Sequence, residues 1–145
     1  MNELRQRALR LLARREHSRA ELNRKLAAHG TEEEIANVLT QLETEGLLSD
    51  ARAAGAYVRA HAGRFGAARL RQDLRSRGLD PELADADFAG LDAELERARA
   101  VWAKKFPDGP ADDREWARQA RFLQSRGFAT EIIRKLLKNP RGESE

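Results

Sequence analysis

The 145-residue sequence contains no cysteine. That excludes disulfides, thiolate metal sites and a cysteine nucleophile, and it fits a reducing compartment. Only four prolines occur, and runs of Val, Ile, Thr and aromatics that would read as strands are missing. Aromatics are only 6 % of residues, and all fall on helix stripes or joints, where core packing is the default. Phe65 stands apart, in a glycine-flanked turn between basic groups. No stretch approaches the ~20 apolar residues needed to cross a membrane. The N-terminus MNELRQRALRLLARRE is too charged for a secretory signal and runs straight into a repeat. It reads as a folded helix, and a cytoplasmic location is expected.

Catalytic patterns are also lacking. His17, His29 and His61 do not have metal-ligand spacing. Gly63–Gly66 lacks the longer glycine spacing and Gly-Lys-Ser/Thr ending of a phosphate loop. No serine sits in a nucleophile elbow. Glu32, Glu33, Glu34, Asp85 and Asp87 fall on polar faces, where shifted pKa values are not expected. The expectation is no enzyme, no cofactor and no metal.

What is present is helix-forming. Apolar residues make up 41 % and charged residues 35 %. The apolar residues are periodic, so the composition is not that of a disordered chain. Alanine, leucine, arginine and glutamate dominate, all strong or adequate helix formers. An all-α fold follows.

One sentence of sequence occurs three times: SRAELNRKLAAHG closing at Gly30, GAARLRQDLRSRG at Gly78 and REWARQARFLQSRG at Gly127. Leu22 and Leu26 align with Leu70 and Leu74, and Leu74 with Leu123, whereas Leu70 falls on Gln119. Five positions past each glycine comes Ile35, Leu83 or Ile132. A period near fifty residues indicates a repeated supersecondary unit. The expected organisation is three tandem three-helix repeats, 1–48, 49–91 and 92–139, with a frayed tail at 140–145. Each repeat is too small to bury much surface alone, so stacking into an elongated, curved arrangement is expected.

Local signals place the helices. In the first, Leu4, Ala8, Leu11 and Leu12 share a face. Ser18 with Glu21, and Thr31 with Glu34, form capping boxes. Gly30 is expected to supply a left-handed helix end. Ile35, Val38, Leu39 and Leu42 make the third stripe. Asp50, Asp92, and Asp112 or Asp113 are expected caps. Ala53, Ala54, Tyr57 and Val58 point inward on the fourth helix. Asp80-Pro81 opens a helix with Leu83, Ala86 and Phe88 or Leu91 apolar. Later stripes are Leu95, Ala98, Val101, Trp102 and Phe106; then Trp116, Ala120 and Leu123; then Ile132, Ile133, Leu136 and Leu137. Pro107–Pro110 is the clearest loop.

Net charge is +3, but its distribution is uneven. Residues 31–50 hold six acids and no base, and residues 51–78 hold seven bases and one acid. Residues 1–30 are basic and 79–100 acidic, so the first two repeats each run basic, then acidic. Neighbouring helices could pair these charges. Alternatively, a basic side could orient a charged partner.

Ser18–Asp50 also resembles a winged helix-turn-helix. The helix that would enter the groove, Thr31–Glu45, has five acids and no base, so phosphates would repel it. No wing sequence follows.

The segments ALRLLARREHSRAELNRKLAAHG, EGLLSDARAAGAYVRAHAGRFGAARLRQDLRSRGL and ARFLQSRGFATEIIRKLL together resemble the RecX family of bacterial recombination regulators. The resemblance runs from about Ala8 to Leu137. It implies three tandem three-helix repeats in a curved arrangement. It also implies a protein that binds the RecA filament on single-stranded DNA and inhibits its recombinase, ATPase and coprotease activities; a monomer is expected. Contact with the DNA would be weak or made through the filament. The alternative is a helical module that binds nucleic acid directly, without a RecA target. The family offers no catalytic motif, and its recurrent bases match Arg64, Arg71 and Arg75 only as pattern positions. Candidate partner- or DNA-binding residues are Arg24, Lys25, Arg59, Arg64, Arg69, Arg71, Arg75, Arg118, Arg121 and Arg126.

Overall fold

A computed structural model describes residues 3–142. The described residues form nine α-helices and two short 3₁₀ turns, with no strand. The helices are α1 Glu3–Arg14, α2 Arg19–Leu26, α3 Glu32–Thr44, α4 Asp50–His61, α5 Ala67–Ser76, α6 Asp85–Ala89, α7 Glu94–Lys105, α8 Asp113–Ser125 and α9 Thr130–Lys138. The fold is therefore all-α.

Contacts divide the chain into two compact units. One comprises the residues up to Tyr57 together with Leu74–Asp85; the other comprises Val58–Asp73 and everything from Ala86 onward. All three divisions fall inside helices, α4, α5 and α6, rather than at the loops between repeats.

The first unit is built on Leu4, Ala8, Leu22, Leu26, Ile35, Val38, Leu39, Leu42 and Leu48, all buried. Fully burying one such leucine is worth about 1.5–3 kcal/mol. Both expected capping boxes are formed: the Ser18 and Thr31 hydroxyls accept from the amides of Glu21 and Glu34. The two carboxylates accept in return from the Ser18 and Thr31 amides. Ser18 is wholly buried, and its hydroxyl donates to the carbonyl of Arg77 at 2.6 Å. At Gly78 (φ +75°) an added Cβ would lie 2.5 Å from the Ala20 Cβ, so the end of α5 approaches the start of α2 closely.

Several local expectations are corrected. Gly30 is extended (φ −175°, ψ 176°) rather than left-handed. The 3₁₀ turn Ala27–His29 ends α2 instead, whereas Gly78 and Gly127 do take positive φ. Ser49, not Asp50, caps α4: its hydroxyl accepts from the Arg52 amide at 3.1 Å. The Asp50 carboxylate accepts from the Arg19 amide at 2.8 Å and so ties α4 to the head of α2. After Asp80, whose carboxylate accepts from the Glu82 amide, the chain winds as 3₁₀ over Pro81–Ala84. That tighter winding changes the register. Leu83 is 43 % exposed, and Ala84 is buried in its place.

In the second unit Ala98, Val101, Trp102, Phe106, Leu123, Phe128, Ile133, Leu136 and Leu137 form the core. Asp112 caps α8, accepting from the Glu115 amide. Asp92 does not cap α7, whose N-cap is Ala93 without a side-chain bond. Trp116 is 38 % exposed, and Gln119 joins Leu123 as a buried residue of its helix. The Trp102 indole donates to Gln119 Oε1 at 2.8 Å, and Gln119 Nε2 donates to the Asp108 carbonyl at 3.2 Å. Gln119 thus fills the position that aligns with Leu70 while its polar atoms are satisfied.

Two backbones meet at Gly66, whose amide donates to the Arg126 carbonyl at 2.7 Å. A Cβ on Gly66 would lie 2.3 Å from the Gly127 carbonyl oxygen, and one on Gly127 2.2 Å from the Arg69 Cβ. Arg97 braces the same turn, donating to the carbonyls of Ala62 at 3.1 Å and Phe65 at 2.5 Å. Of the tail expected to fray, Pro140 accepts from Arg99 at 3.1 Å and Arg141 reaches Asp108 at 3.7 Å. Residues 143–145 lie outside the described residues.

Candidate partner interface

The alternating charge blocks pair helix to helix. Within the first unit Arg5 pairs with Glu45 at 2.6 Å, and Arg19 pairs with Glu43. Within the second, Arg59 pairs with Asp87. Each ion pair joins a basic block to the acidic block that follows it. They are at least partly solvent-exposed, a setting in which such pairs contribute little stability.

The candidate bases therefore differ in what holds them. In the second unit Arg59, Arg69 and Arg118 are matched by Asp87, Asp73 and Glu115, the last two at 3.3 and 2.7 Å. Arg71 is exposed, with its guanidinium 4.4 Å from the Phe88 ring centroid. Three arginines converge on the half-buried Phe65: Arg69 at 4.2 Å, Arg64 at 5.3 Å and Arg126 at 5.9 Å from its centroid. They come from α5, the 62–66 turn and the end of α8. His61 stacks on the same ring, the planes only 8° apart. Cation–π contacts do not themselves neutralise these guanidinium groups, although Arg69 also meets the Asp73 carboxylate. Among the described residues Arg121 has no ion pair.

In the first unit Arg24 and Arg75 are exposed and, among the described residues, have no ion pair. Lys25 is committed: its Nζ donates to Nε2 of buried His17 at 3.1 Å. The other ring nitrogen of His17 faces the Arg15 carbonyl at 3.0 Å. The ring is therefore neutral, with Nδ1–H donating. Burial lowers its pKa, and the positive charges of Arg15 and Lys25 add to that effect.

Two features of this unit escaped sequence reading. Glu21 is buried and meets Arg15 at 2.9 Å and Arg77 at 3.9 Å. Burial alone would raise its pKa. Hydrogen bonds from Arg15 and the Ser18 amide, with the charges of Arg15 and Arg77, outweigh that and hold it below the usual carboxylate range. Glu34 was expected to be unshifted; hydrogen bonds from the Thr31 amide and hydroxyl lower its pKa. The capping-box motif itself could have signalled this.

The second unit holds a cleft of about 260 Å³, lined by the 63–64 turn, Val101, Lys104, Lys105, Phe122 and Arg126. Lys104 and Lys105 close the last turn of α7, where cations suit a helix C-terminus. Nothing local could announce that they meet Arg64, Phe122 and Arg126. Among the described residues no cluster of His, Asp and Glu could hold a metal ion. No helix among them is long and apolar enough to cross a membrane.

Helical triplets of unequal sequence, with glycines at matching places, define a class: chains built from three distinct three-helix domains in tandem. Profiles described as the first, second and third three-helix domains of RecX match residues 5–42, 49–86 and 92–137. The chain belongs to the RecX family of regulatory proteins. The regulatory protein RecX of Leptothrix cholodnii is 51 % identical over 137 residues, covering 93 % of this chain and 87 % of that one. That of Pseudomonas putida is 44 % identical over 140 residues, covering 92 % and 88 %. The crystal structure of RecX from Lactobacillus salivarius superposes with a TM-score of 0.79 at 20 % identity, over 95 % of this chain and 94 % of that one. A crystal structure titled regulatory protein RecX gives 0.80 at 21 %, over 94 % and 72 %. These two likenesses concern the fold.

Proposed function

We propose that this chain is a cytoplasmic, monomeric inhibitor of the RecA recombinase that binds the RecA filament on single-stranded DNA. It acts by binding alone, limiting ATP hydrolysis, strand exchange and coprotease activity, and carries out no catalysis of its own. Family membership supports the regulatory role, and the resemblance noted above supplies RecA as the target.

The observation that carries the reading is the convergence of Arg64, Arg69 and Arg126 on Phe65. Charges held on a ring keep their positive field while losing little freedom on binding, which favours an anionic partner. Arg24, Arg71, Arg75 and Arg121 add exposed positive charge. Arg59, Arg69 and Arg118 contribute less, being paired with Asp87, Asp73 and Glu115, and Lys25 is held by the neutral His17 ring.

The test is RecA-driven ATP hydrolysis on single-stranded DNA. Substoichiometric protein slows it; unchanged ATPase and strand exchange at equimolar protein would falsify the reading.

A further inference from the structure

Among the described residues, four cations, Arg64, Lys104, Lys105 and Arg126, line the 260 Å³ cleft of the second unit, and no acid does. Lys104 and Lys105 also face the carbonyl end of α7, which accounts for a lysine there. It does not account for two arginines from other elements joining them, because like charges in a concave site repel. An anion in the cleft relieves that repulsion.

The cleft is not purely ionic. The Phe122 ring lies in its lining, with Arg126 4.9 Å and Lys105 5.5 Å from its centroid. Phe106 fixes the ring edge-on, at 5.4 Å and 88°. A ring held this way, flanked by cations, suits a flat aromatic group whose neighbours carry negative charge. The cleft, about 260 Å³ and open to solvent, has room for one unit of a longer chain. In a duplex the bases are stacked and cannot reach such a ring. In a single strand each base has a free face and a phosphate on either side.

We propose that this cleft is a subsite for single-stranded nucleic acid, in which Arg64, Lys104, Lys105 and Arg126 meet phosphates and Phe122 carries one base. The proposal deepens the reading above and takes from it the nature of the partner, but predicts binding to the bare strand without RecA.

The experiment uses the full chain and a fluorescent oligothymidylate of about 16 nucleotides, followed by anisotropy from ~50 mM salt upward. K104E/K105E lowers affinity at least about tenfold and flattens the log–log salt slope by about 1.4, the loss of two phosphate contacts. K135E, an equal reversal per site at an exposed position of α9, changes far less. F122L keeps an apolar side chain in the core, verified by circular dichroism. It weakens oligothymidylate binding about fivefold or more, leaves the salt slope unchanged and spares an abasic strand of equal length.

Three results would overturn the proposal: K104E/K105E weakening binding no more per charge than K135E, folded F122L binding as wild type does, or polyglutamate displacing the strand at equal charge. If the wild type ignores bare strand yet inhibits RecA, the cleft assignment falls and the regulator reading stands. If it binds bare strand through the cleft but leaves RecA untouched, the reverse holds.

Discussion

The Trp102 indole donates its only hydrogen to Gln119 at 2.8 Å, inside a core where both residues are buried. Gln119 aligns with Leu70, so a repeat-based design would replace it with leucine. We expect Q119L to destabilise the protein by about 1–3 kcal/mol, because the indole hydrogen and the Asp108 carbonyl lose their partner. W102F/Q119L should recover part of that loss. Urea midpoints in a double-mutant cycle measure the coupling, and additive losses would show that the pair is not linked.

Gly66 and Gly127 should tolerate no side chain. G66A places a methyl 2.3 Å from a carbonyl oxygen, and G127A adds a positive φ to a 2.2 Å clash. Each should cost about 1–3 kcal/mol or more. Gly63 has open space around its would-be Cβ; G63A should be neutral or gain up to about 1 kcal/mol through the unfolded chain. Thermal unfolding of the three variants ranks them, and equal behaviour would contradict the close approach.

His17 makes stability depend on pH. Burial lowers its pKa in the folded chain, so the unfolded chain takes up the proton first as pH falls below about 6.5. The contribution is complete above that value and is lost on going down. Glu21, also lowered, contributes in the same direction, but only near and below the ordinary carboxylate range. Urea midpoints at pH 7.5 and 5.5 therefore isolate the histidine. Wild type should lose stability between the two, and H17Q should lose less.

Charge reversal at Arg71 and Arg75 tests the basic face. Both are exposed and lie off the buried positions Leu70 and Leu74. R71E/R75E should keep the helical circular dichroism spectrum, give up only the Arg71–Phe88 contact, and lose RecA inhibition about tenfold or more. Inhibition equal to wild type would remove these arginines from the mechanism.

The helices and their caps were legible because capping is local: Ser18 with Glu21, Thr31 with Glu34, and Asp112 three residues before Glu115. Errors arose where distant partners or tighter winding intervened. Asp50 was diverted to the Arg19 amide, leaving the cap to Ser49. The 3₁₀ turn after Asp80 exchanged Leu83 for Ala84. The basic character of the candidate surface was plain from counts of arginine. Its sorting into ion-paired, ring-held and unpaired groups was not, since Asp87, Phe88 and Phe65 belong to other elements. The cleft needed residues from three stretches, and no single stretch signals it.

The buried hydroxyl of Ser18 finds its acceptor, Arg77, 59 positions further along the chain. During synthesis at ~5–20 residues per second, the acceptor is added roughly 3–12 s after the serine. For that interval the head of the first unit waits with an open seat while residues 58–73, which belong to the other unit, are made. The order of manufacture and the order of assembly thus cross, and the nascent amino-terminal helices must persist unfinished until the end of α5 arrives.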